Sequence, residues 1–193
     1  MRIISGPRRG KKLLALEGEQ VRPTTNMVKE ALFNILQSGV EGRRFLDLFA
    51  GSGQIGLEAL SRGAKEAVFV DASRDSIRVV EKNLEATGFR DRARVVSGDF
   101  RGALRGLPGP FDLAYLDPPY EAGLLEEALR LTAEKMAPGG VIVCEHGSRE
   151  QPPKGAGGFA LTKVRRYGRT ALSIYQAREE EPPPETGEEE GNP

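Results

Sequence analysis

Short apolar runs that alternate with helix-length stretches are the feature that most restricts the fold of this chain. Five runs are predicted to be strands, at 45–49, 67–70, 93–97, 113–116 and 141–144. Helices are predicted between several of them, ending at about Arg62 and spanning about 75–87 and about 124–136. Strands separated by helices of this length pair in parallel through right-handed crossovers. The pattern therefore predicts an open α/β sheet, closed by a hairpin at 161–166 and 171–176.

The bulk composition argues against several classes of protein. No apolar run approaches the roughly 20 residues that span a bilayer, and the opening residues lack the apolar segment of a signal peptide. A single cysteine excludes an intramolecular disulfide, as expected in the reducing cytoplasm. One cysteine and one histidine also argue against a zinc site. We therefore expect a cytoplasmic protein that binds neither a membrane nor a metal ion, and we expect it to be a monomer, although the composition does not determine the oligomeric state.

The net charge of zero hides an uneven distribution of acidic residues. Seven of the 28 acidic residues follow Arg178, where the chain has no Lys or Arg, so residues 1–178 hold 21 acids against 28 bases. We predict one domain over 1–178 and a disordered acidic tail over 179–193, which is too charged and too rich in proline to bury a core. A basic domain suggests a polyanionic partner. A solvated surface rich in arginine and glutamate, typical of thermophiles, explains the charge equally well.

Residues 1–20 are predicted to form a small β-hairpin that extends the domain at its N terminus. Two short segments, 2–5 and 12–16, flank a turn of glycine, proline and arginine. The sequence Arg-Pro-Thr-Thr follows at 22–25, and Thr25 or Asn26 is suited to cap a helix that begins there.

Acidic residues and glycines stand where the predicted parallel strands end. Asp47 and Gly51 to Gly53 accompany the first strand, Asp71 ends the second, Asp99 follows the third and Asp117 follows the fourth. In an open α/β sheet, ligands bind at the carboxyl ends of the strands. Four strand ends with this chemistry therefore predict a ligand site at that edge of the sheet.

The glycine loop from Asp47 to Gly56 suits a ligand that approaches the backbone closely. Glycine permits positive φ angles and has no side chain to obstruct the ligand. Asp71 follows Gly53 by 18 residues, the spacing expected of a carboxylate that binds both hydroxyls of a ribose. Gly51, Gly53 and Gly56 also satisfy the dinucleotide fingerprint. The loop alone therefore allows S-adenosylmethionine, a nicotinamide dinucleotide or a tight turn without a ligand.

The sequence Asp117-Pro118-Pro119-Tyr120 after the fourth strand indicates methylation of a base amine. The lone pair of such an amine is delocalised into the ring, which makes the nitrogen a poor nucleophile. The Asp117 carboxylate and the Pro118 carbonyl can accept its two N–H groups and free the lone pair, because the prolines hold the turn in one shape. Tyr120 offers a face on which an extruded base stacks, worth about 1–3 kcal/mol. The alternative interpretation is a Pro-Pro turn with a tyrosine at its rim.

These motifs resemble those of class I methyltransferases, and in particular those of the RsmD-type small-subunit ribosomal RNA (guanine-N2) methyltransferases. The resemblance runs from Met1 to about Ala177 and is carried by MRIISG at 1–6, RPTT at 22–25, LDLFAGSG at 46–53, GLEALSRG at 56–63 and DPPY at 117–120. The first two motifs are specific to the family. Asn26 departs from the family pattern, since an acid usually follows the threonine pair, and the acidic tail is an addition.

The resemblance implies a Rossmann-like α/β fold with a mostly parallel seven-stranded sheet, helices on both faces and an antiparallel last hairpin. It implies S-adenosylmethionine as cofactor and, as substrate, one guanine in the helix-31 loop of 16S rRNA in assembled or nearly assembled small subunits. The residues it assigns to the cofactor are Asp47, Gly51, Gly53, Asp71, Asp99 and Phe100. Asp117, Pro118 and Tyr120 would be catalytic and, with Pro119, would hold the guanine. The residues expected to contact RNA phosphates are Arg8, Arg9, Lys11, Lys12 and Arg22, although an ordinary exposed hairpin explains this basic segment equally well.

Three other functions remain open at this point. The glycine spacing allows a nicotinamide dehydrogenase, although no histidine, lysine or tyrosine pattern stands ready for hydride chemistry. DNA adenine and protein glutamine methyltransferases carry Asn or Asp before Pro-Pro-Tyr, but DNA enzymes usually add a recognition domain. A non-catalytic RNA-binding module would leave Asp117 without a role.

The C-terminal part of the chain supports three further predictions. Cys144 lies in an apolar run and is expected in the core. His146 has a position that allows it to line the substrate cleft, but we expect it to lie elsewhere. Arg165, Arg166 and Arg169 on the last hairpin are expected to form a solvated face rather than an RNA contact.

Overall fold

The structure is a computed structural model that describes residues 1–16, 26–36, 39–119 and 123–178. Within those ranges it contains five α-helices: α1 Asn26–Leu36, α2 Gln54–Ser61, α3 Arg74–Thr87, α4 Phe100–Gly106 and α5 Leu125–Ala133. The same ranges contain eight strands: β1 Arg44–Leu48, β2 Glu66–Asp71, β3 Ala93–Ser97, β4 Phe111–Leu116, β5 Met136–Gly147, β6 Gly155–Ala156, β7 Phe159–Tyr167 and β8 Thr170–Ala177. Four predicted features lie outside the described residues: the acidic tail at 179–193, Arg22, Thr25 and Tyr120.

The described strands form one sheet in the order β3-β2-β1-β4-β5-β8-β7-β6. The pairs from β3 to β5 are parallel, whereas β8 runs antiparallel to both β5 and β7. The predicted mostly parallel α/β sheet with an antiparallel last hairpin is therefore confirmed. The sheet has eight strands instead of seven, because the two-residue β6 pairs with the start of β7 at the edge.

The order of the strands creates a crevice beside β1. This strand has β2 on one side and β4 on the other, so the connections that leave β1 and β4 diverge to opposite faces of the sheet. Such a switch point is where ligands bind in open α/β sheets. The carboxyl ends of β1, β2 and β4 are therefore brought to one place.

Helices pack on both faces of the sheet, as expected. On one face, α1, α2 and α3 bury Leu32, Leu57 and Leu84. On the other face, α4 and α5 bury Leu104 and Leu129. Because the central strands are covered on both sides, they appear in the sequence as continuous apolar runs. None of the helices in the described part of the chain has the length and apolar character needed to cross a bilayer.

Two elements differ from the sequence prediction. The sequence did not predict α4, which forms because the Asp99 side chain caps it by accepting a hydrogen bond from the Arg101 N–H at 2.9 Å. The helix predicted to end at Met136 ends instead at Ala133. Met136 is the first residue of β5, where it pairs with Phe111 of β4.

The N-terminal segment, residues 1–16, folds back on itself across one β-bridge between Arg2 and Lys12. Its side chains Ile3 and Leu13 are buried in the core on the face that carries α1, α2 and α3. The segment is therefore packed along the helices of that face.

Candidate active site

A cavity of about 730 Å³ lies at the carboxyl ends of β1, β2 and β4. Its size is typical of sites for small molecules. Residues from four strand ends line it: Asp47, Gly51, Asp71, Asp99, Phe100, Asp117, Pro118 and Pro119. The structure thus brings most of the predicted cofactor residues and three residues of the predicted catalytic motif to one place.

The glycine loop is fixed by its own backbone and by the neighbouring strand. The Ala50 N–H donates to the Val70 carbonyl at 2.9 Å, and the Gly53 N–H donates to the Ala50 carbonyl at 2.8 Å. Gly53 caps α2 with a φ of 75°, in the left-handed region that favours glycine. Phe49 has a φ of 67°, a strained value for an aromatic residue, and such strain concentrates at ligand sites.

Asp47 lies within β1, and only 1% of it is exposed. Its Oδ2 accepts a hydrogen bond from the Gly56 N–H of α2 at 2.8 Å. Burial raises the pKa of Asp47 to about 7; the hydrogen bond from Gly56 opposes this rise and the charge of Asp71 adds to it. Asp47 is therefore a carboxyl beside the cavity that changes its protonation near neutral pH.

Asp71 ends β2 and is half-buried. Its two oxygens accept hydrogen bonds at 2.8 Å from the N–H groups of Gly51 and Ser73. An ionised carboxylate has about four lone-pair sites, so Asp71 can still accept two further donors. The glycine loop therefore orients a carboxylate that can bind a pair of hydroxyl groups.

Asp99 and Phe100 differ in exposure at the end of β3. Asp99 is exposed and accepts hydrogen bonds from Arg101, through the backbone N–H at 2.9 Å and the guanidinium at 3.1 Å. Phe100 is buried, and its ring centroid lies 5.2 Å from that of Phe49. Phe49 and Phe100 form an apolar wall of the cavity that suits a flat heterocycle.

The turn after β4 is attached to the end of β1. The Asp117 N–H donates to the Leu48 carbonyl at 3.3 Å. Asp117 is half-buried, Pro118 is buried and Pro119 is exposed. This turn faces the same cavity as the glycine loop.

The N-terminal segment forms part of the cavity wall through Met1 and Leu16, a contact that the sequence reasoning missed. Asn83 of α3 holds this segment against the glycine loop. Its Oδ1 accepts from the Leu14 N–H at 2.8 Å, and its Nδ2 donates to the carbonyls of Leu14 at 3.1 Å and Ser52 at 3.0 Å. The signal for this role is a lone asparagine on the apolar side of an amphipathic helix.

A buried ionic cluster anchors the same segment on α2. Glu58 is fully buried and accepts hydrogen bonds from the N–H groups of Ile4 at 2.7 Å and Ser5 at 3.0 Å. It also accepts from Arg62 Nε at 2.9 Å, and Lys29 Nζ lies 3.9 Å away. Burial lowers the pKa of Lys29, and the charge of Glu58 opposes that shift. The sequence signal is a glutamate inside an otherwise apolar helix.

A buried polar pair lies on the β4–β5 side of the cavity. The Tyr115 hydroxyl donates to the Glu145 carboxylate, and both residues are buried. Tyr115 lines the cavity and pairs in register with Asp47. The sequence reasoning missed this pair, because the two residues are far apart in the chain and neither belongs to a recognised motif.

Cys144 and His146 lie in the interior of the sheet. Cys144 is buried in the core, as predicted. His146 is also buried, and its ring nitrogens lie 2.7 Å from Ser173 Oγ and 2.9 Å from the Gly147 carbonyl. His146 is not part of the cavity wall.

The predicted phosphate contacts of the N-terminal segment differ in their surroundings. Arg8 is engaged within the protein: its Nε donates to the Thr87 carbonyl at 2.7 Å, and its guanidinium lies 5.9 Å from the centroid of the Phe89 ring. The other predicted contacts that the structure describes are exposed, as is Arg8 itself: Arg9, Lys11 and Lys12.

Comparison with known proteins identifies the family. The family model described as "Conserved hypothetical protein 95" matches residues 1–176. The chain belongs to this family. Ribosomal RNA small subunit methyltransferase D of Escherichia coli (strain K12) is 36% identical over 178 residues, which cover 91% of this chain and 89% of that protein. The resemblance to RsmD-type methyltransferases is therefore confirmed.

Solved structures agree with this assignment. The structure of yhhF from Escherichia coli has a TM-score of 0.82 at 36% identity and covers 92% of this chain and 97% of that chain. The structure of SMU.776 complexed with SAH has a TM-score of 0.62 at 15% identity, covers 78% of this chain and 48% of that chain, and shares the fold. The class I methyltransferase fold expected from the sequence is confirmed.

Membership of the RsmD-type methyltransferase family decides between the two cofactors that the glycine spacing left open, in favour of S-adenosylmethionine. The cavity fits this molecule. A Cβ built at Gly51 would meet no atom within 4 Å, so the loop leaves open space at its tip. Around that space stand a carboxylate suited to a ribose at Asp71 and an aromatic wall suited to adenine at Phe49 and Phe100.

Proposed function

We propose that this chain transfers a methyl group from S-adenosylmethionine to the exocyclic N2 amine of a guanine in the helix-31 loop of 16S rRNA. It would act in the cytoplasm on assembled or nearly assembled small ribosomal subunits. The name of its Escherichia coli relative supports methylation of small-subunit ribosomal RNA. The target amine rests on the resemblance of the motifs and on the geometry of the site.

One observation supports the proposal most directly. The turn Asp117-Pro118-Pro119 and the glycine loop line the same cavity, and the Asp117 N–H to Leu48 hydrogen bond fixes the distance between them. A methyl donor held by the loop and an amine held by the turn would therefore meet inside one protected space. Holding two reactants in this way removes much of the entropic barrier to their reaction.

The residues of the turn prepare the amine. The cofactor supplies the methyl group from its sulfonium sulfur. The Asp117 carboxylate and the Pro118 carbonyl each accept one N–H of the amine, which draws the nitrogen towards tetrahedral geometry and frees its lone pair. The freed lone pair would accept this methyl group from the cofactor held by the glycine loop and Asp71, and one N–H proton of the amine would then leave to solvent. Because the methylated nitrogen is cationic, this proton is acidic and no strong base is required.

The function is tested by methyl transfer from labelled S-adenosylmethionine to small subunits that lack the modification, with unmethylated DNA as a parallel substrate. The modified nucleoside is then identified by digestion and mass spectrometry. N2-methylguanosine in the 16S rRNA is the expected product. N6-methyladenosine in DNA would instead support the alternative of a DNA adenine methyltransferase, and transfer to neither nucleic acid would refute the proposal.

The catalytic motif is tested by two substitutions at Asp117 and one at Tyr120. Asp117→Ala removes the acceptor and should slow single-turnover methyl transfer by about a hundredfold to a thousandfold. Asp117→Asn should be milder, because the amide oxygen still accepts a hydrogen bond. Tyr120→Phe, in which the ring still stacks, should keep most of the activity. Both Asp117 variants should bind S-adenosylmethionine nearly as well as the wild type. A fully active Asp117→Ala would refute amine activation by this turn.

A further inference from the structure

Four exposed arginines surround the turn between β7 and β8: Arg149, Arg165, Arg166 and Arg169. The Ser148 N–H donates to the Arg169 carbonyl at 2.9 Å, and Arg166 Nε donates to the Ser148 carbonyl at 3.3 Å. These bonds attach the turn to the loop that leaves the carboxyl end of β5. The turn therefore lies at the edge of the sheet that carries the cavity.

The register of the strands places this turn close to the catalytic motif. Glu145 of β5 pairs with Leu172 of β8, which pairs with Arg165 of β7. Leu116 of β4 pairs with Cys144, so Asp117 and Glu145 occupy the next row of the sheet. Arg165 therefore stands in the row of Asp117, three strands away, or about 14 Å at the usual spacing between strands.

The charges of these arginines are available to a ligand. In the parts of the chain that the structure describes, no carboxylate lies within 4.0 Å of any of the four, whereas Arg78, Arg101 and Arg130 are each paired with an acid. Arg166 uses Nε for the Ser148 carbonyl, which leaves the two terminal nitrogens of its guanidinium. Guanidinium groups of this kind bind phosphates through two parallel hydrogen bonds.

The basic residues of the N-terminal segment occupy a different place. Arg8 contacts Thr87, the last residue of α3, and its N–H donates to Ser61 Oγ, at the last residue of α2, at 3.3 Å. Both helices begin at the cavity and run away from it. Arg8 therefore lies at the opposite edge of the sheet from Asp117.

We propose that Arg149, Arg165, Arg166 and Arg169, here named the arginine turn, form a docking surface for the RNA backbone beside the target base. This inference rests on the proposed function. It replaces the expectation of a solvated face. That expectation came from the sequence, which does not show on which edge of the sheet these residues lie. The phosphates that flank an extruded nucleotide are the groups that such a surface recognises.

The test compares two triple variants. Arg165→Gln, Arg166→Gln and Arg169→Gln together remove three charges from the arginine turn. The matched control removes three exposed arginines from the segment that carries β3 and α4: Arg90→Gln, Arg94→Gln and Arg105→Gln. Binding of a protein-free small-subunit RNA fragment and of intact small subunits is measured across salt concentrations, together with the KM for RNA, kcat and the affinity for S-adenosylmethionine.

The plot of log K for RNA binding against log salt concentration has a negative slope. The magnitude of this slope should be smaller by about 2 in the arginine-turn variant, since each phosphate contact to a single strand contributes about 0.7. Its KM for RNA should rise more than tenfold, while kcat at saturating RNA and cofactor affinity stay within twofold of the wild type. The control should match the wild type. An unchanged salt slope in the arginine-turn variant would overturn the inference, as would an equal loss in the control.

Three further outcomes identify what has failed: the first separates an RNA contact from a protein contact, and the other two separate a failed docking surface from a failed function. If binding to intact subunits is lost but binding to the protein-free RNA is not, the arginine turn contacts a ribosomal protein and the inference is wrong. If the wild-type protein methylates no ribosomal RNA, the proposed function fails first. If the wild type is active and both triple variants behave like it, only the docking surface is refuted.

Discussion

Asp47 should make the binding of S-adenosylmethionine depend on pH. Its pKa rises from 3.8 to about 7, mainly because the carboxyl is buried in β1. A shift of this size corresponds to about 4 kcal/mol of preference for the neutral form. The sulfonium and ammonium groups of the cofactor favour the ionised form instead. Binding should therefore lower the pKa of Asp47 and release a proton when it occurs below about pH 7.

The sign of the effect on stability follows from the same shift. Between pH 3.8 and about 7 the folded protein keeps a proton on Asp47 that the unfolded chain has lost. The contribution of this group to the free energy of unfolding is therefore fully present below about pH 3.8. It is lost at about 1.4 kcal/mol per pH unit as the pH rises from there, and the loss is complete above about pH 7. Asp47→Asn should flatten this dependence, because an amide does not titrate in this range. The variant should still fold, because its amide oxygen can accept the Gly56 N–H.

Calorimetry in two buffers of different ionisation enthalpy counts the protons released on binding. At pH 6 the wild type should release close to one more proton than Asp47→Asn, and its affinity should fall by up to tenfold per pH unit below 7 relative to the variant. The amino group of the cofactor titrates equally in both proteins, so their difference isolates Asp47. Equal proton release in the two proteins, with parallel affinity profiles from pH 5.5 to 8.5, would refute the coupling.

Three further substitutions test the remaining parts of the site. Asp71→Ala should weaken S-adenosylmethionine binding at least tenfold, because each charge-assisted hydrogen bond contributes about 1.5–3 kcal/mol. Calorimetry measures the affinity and circular dichroism checks that the fold is unchanged; unchanged affinity would exclude a ribose contact at Asp71. Glu58→Gln should lower the free energy of unfolding, measured by denaturant titration, by about 3–5 kcal/mol, because Lys29 is left buried without its counter-charge. Adding Lys29→Met should restore part of that free energy, and no restoration would show that the unpaired lysine is not the cause. Asn83→Ala should reduce cofactor affinity as well as stability, whereas a loss of stability alone would show that the contact does not position the glycine loop.

The sequence predicted the sheet and the location of the site because both have local signals. Each buried parallel strand is a short apolar run, and polar residues such as Asp71 and Asp117 mark its carboxyl end. These signals depend on neighbours in the chain, so they survive without knowledge of the fold. The switch point beside β1 then determines which strand ends meet.

The sequence did not predict the features that depend on distant contacts. α4 contains Gly102 and Gly106, which lower helix propensity, and it forms because Asp99 caps it and its apolar side is buried. The sequence Pro-Gly-Gly at 138–140 reads as a loop, yet β5 already begins at Met136 because Phe111 pairs with it. Such elements are decided by packing and pairing partners rather than by local propensity.

Two of the sequence motifs that carry the family resemblance are parts of one contact. The N–H groups of Ile4 and Ser5 both donate to Glu58, so the opening hexapeptide requires an acid at that position of α2. A Cβ at Gly6 would lie 1.6 Å from the Ser61 carbonyl oxygen, so the close approach of the hexapeptide to the end of α2 requires glycine. Because α2 begins at the glycine loop, these contacts also fix the position of Met1 in the cavity wall. The hexapeptide and the helix after the glycine loop must therefore be retained together, since a change in either would leave buried N–H groups without an acceptor and displace one wall of the cofactor cavity.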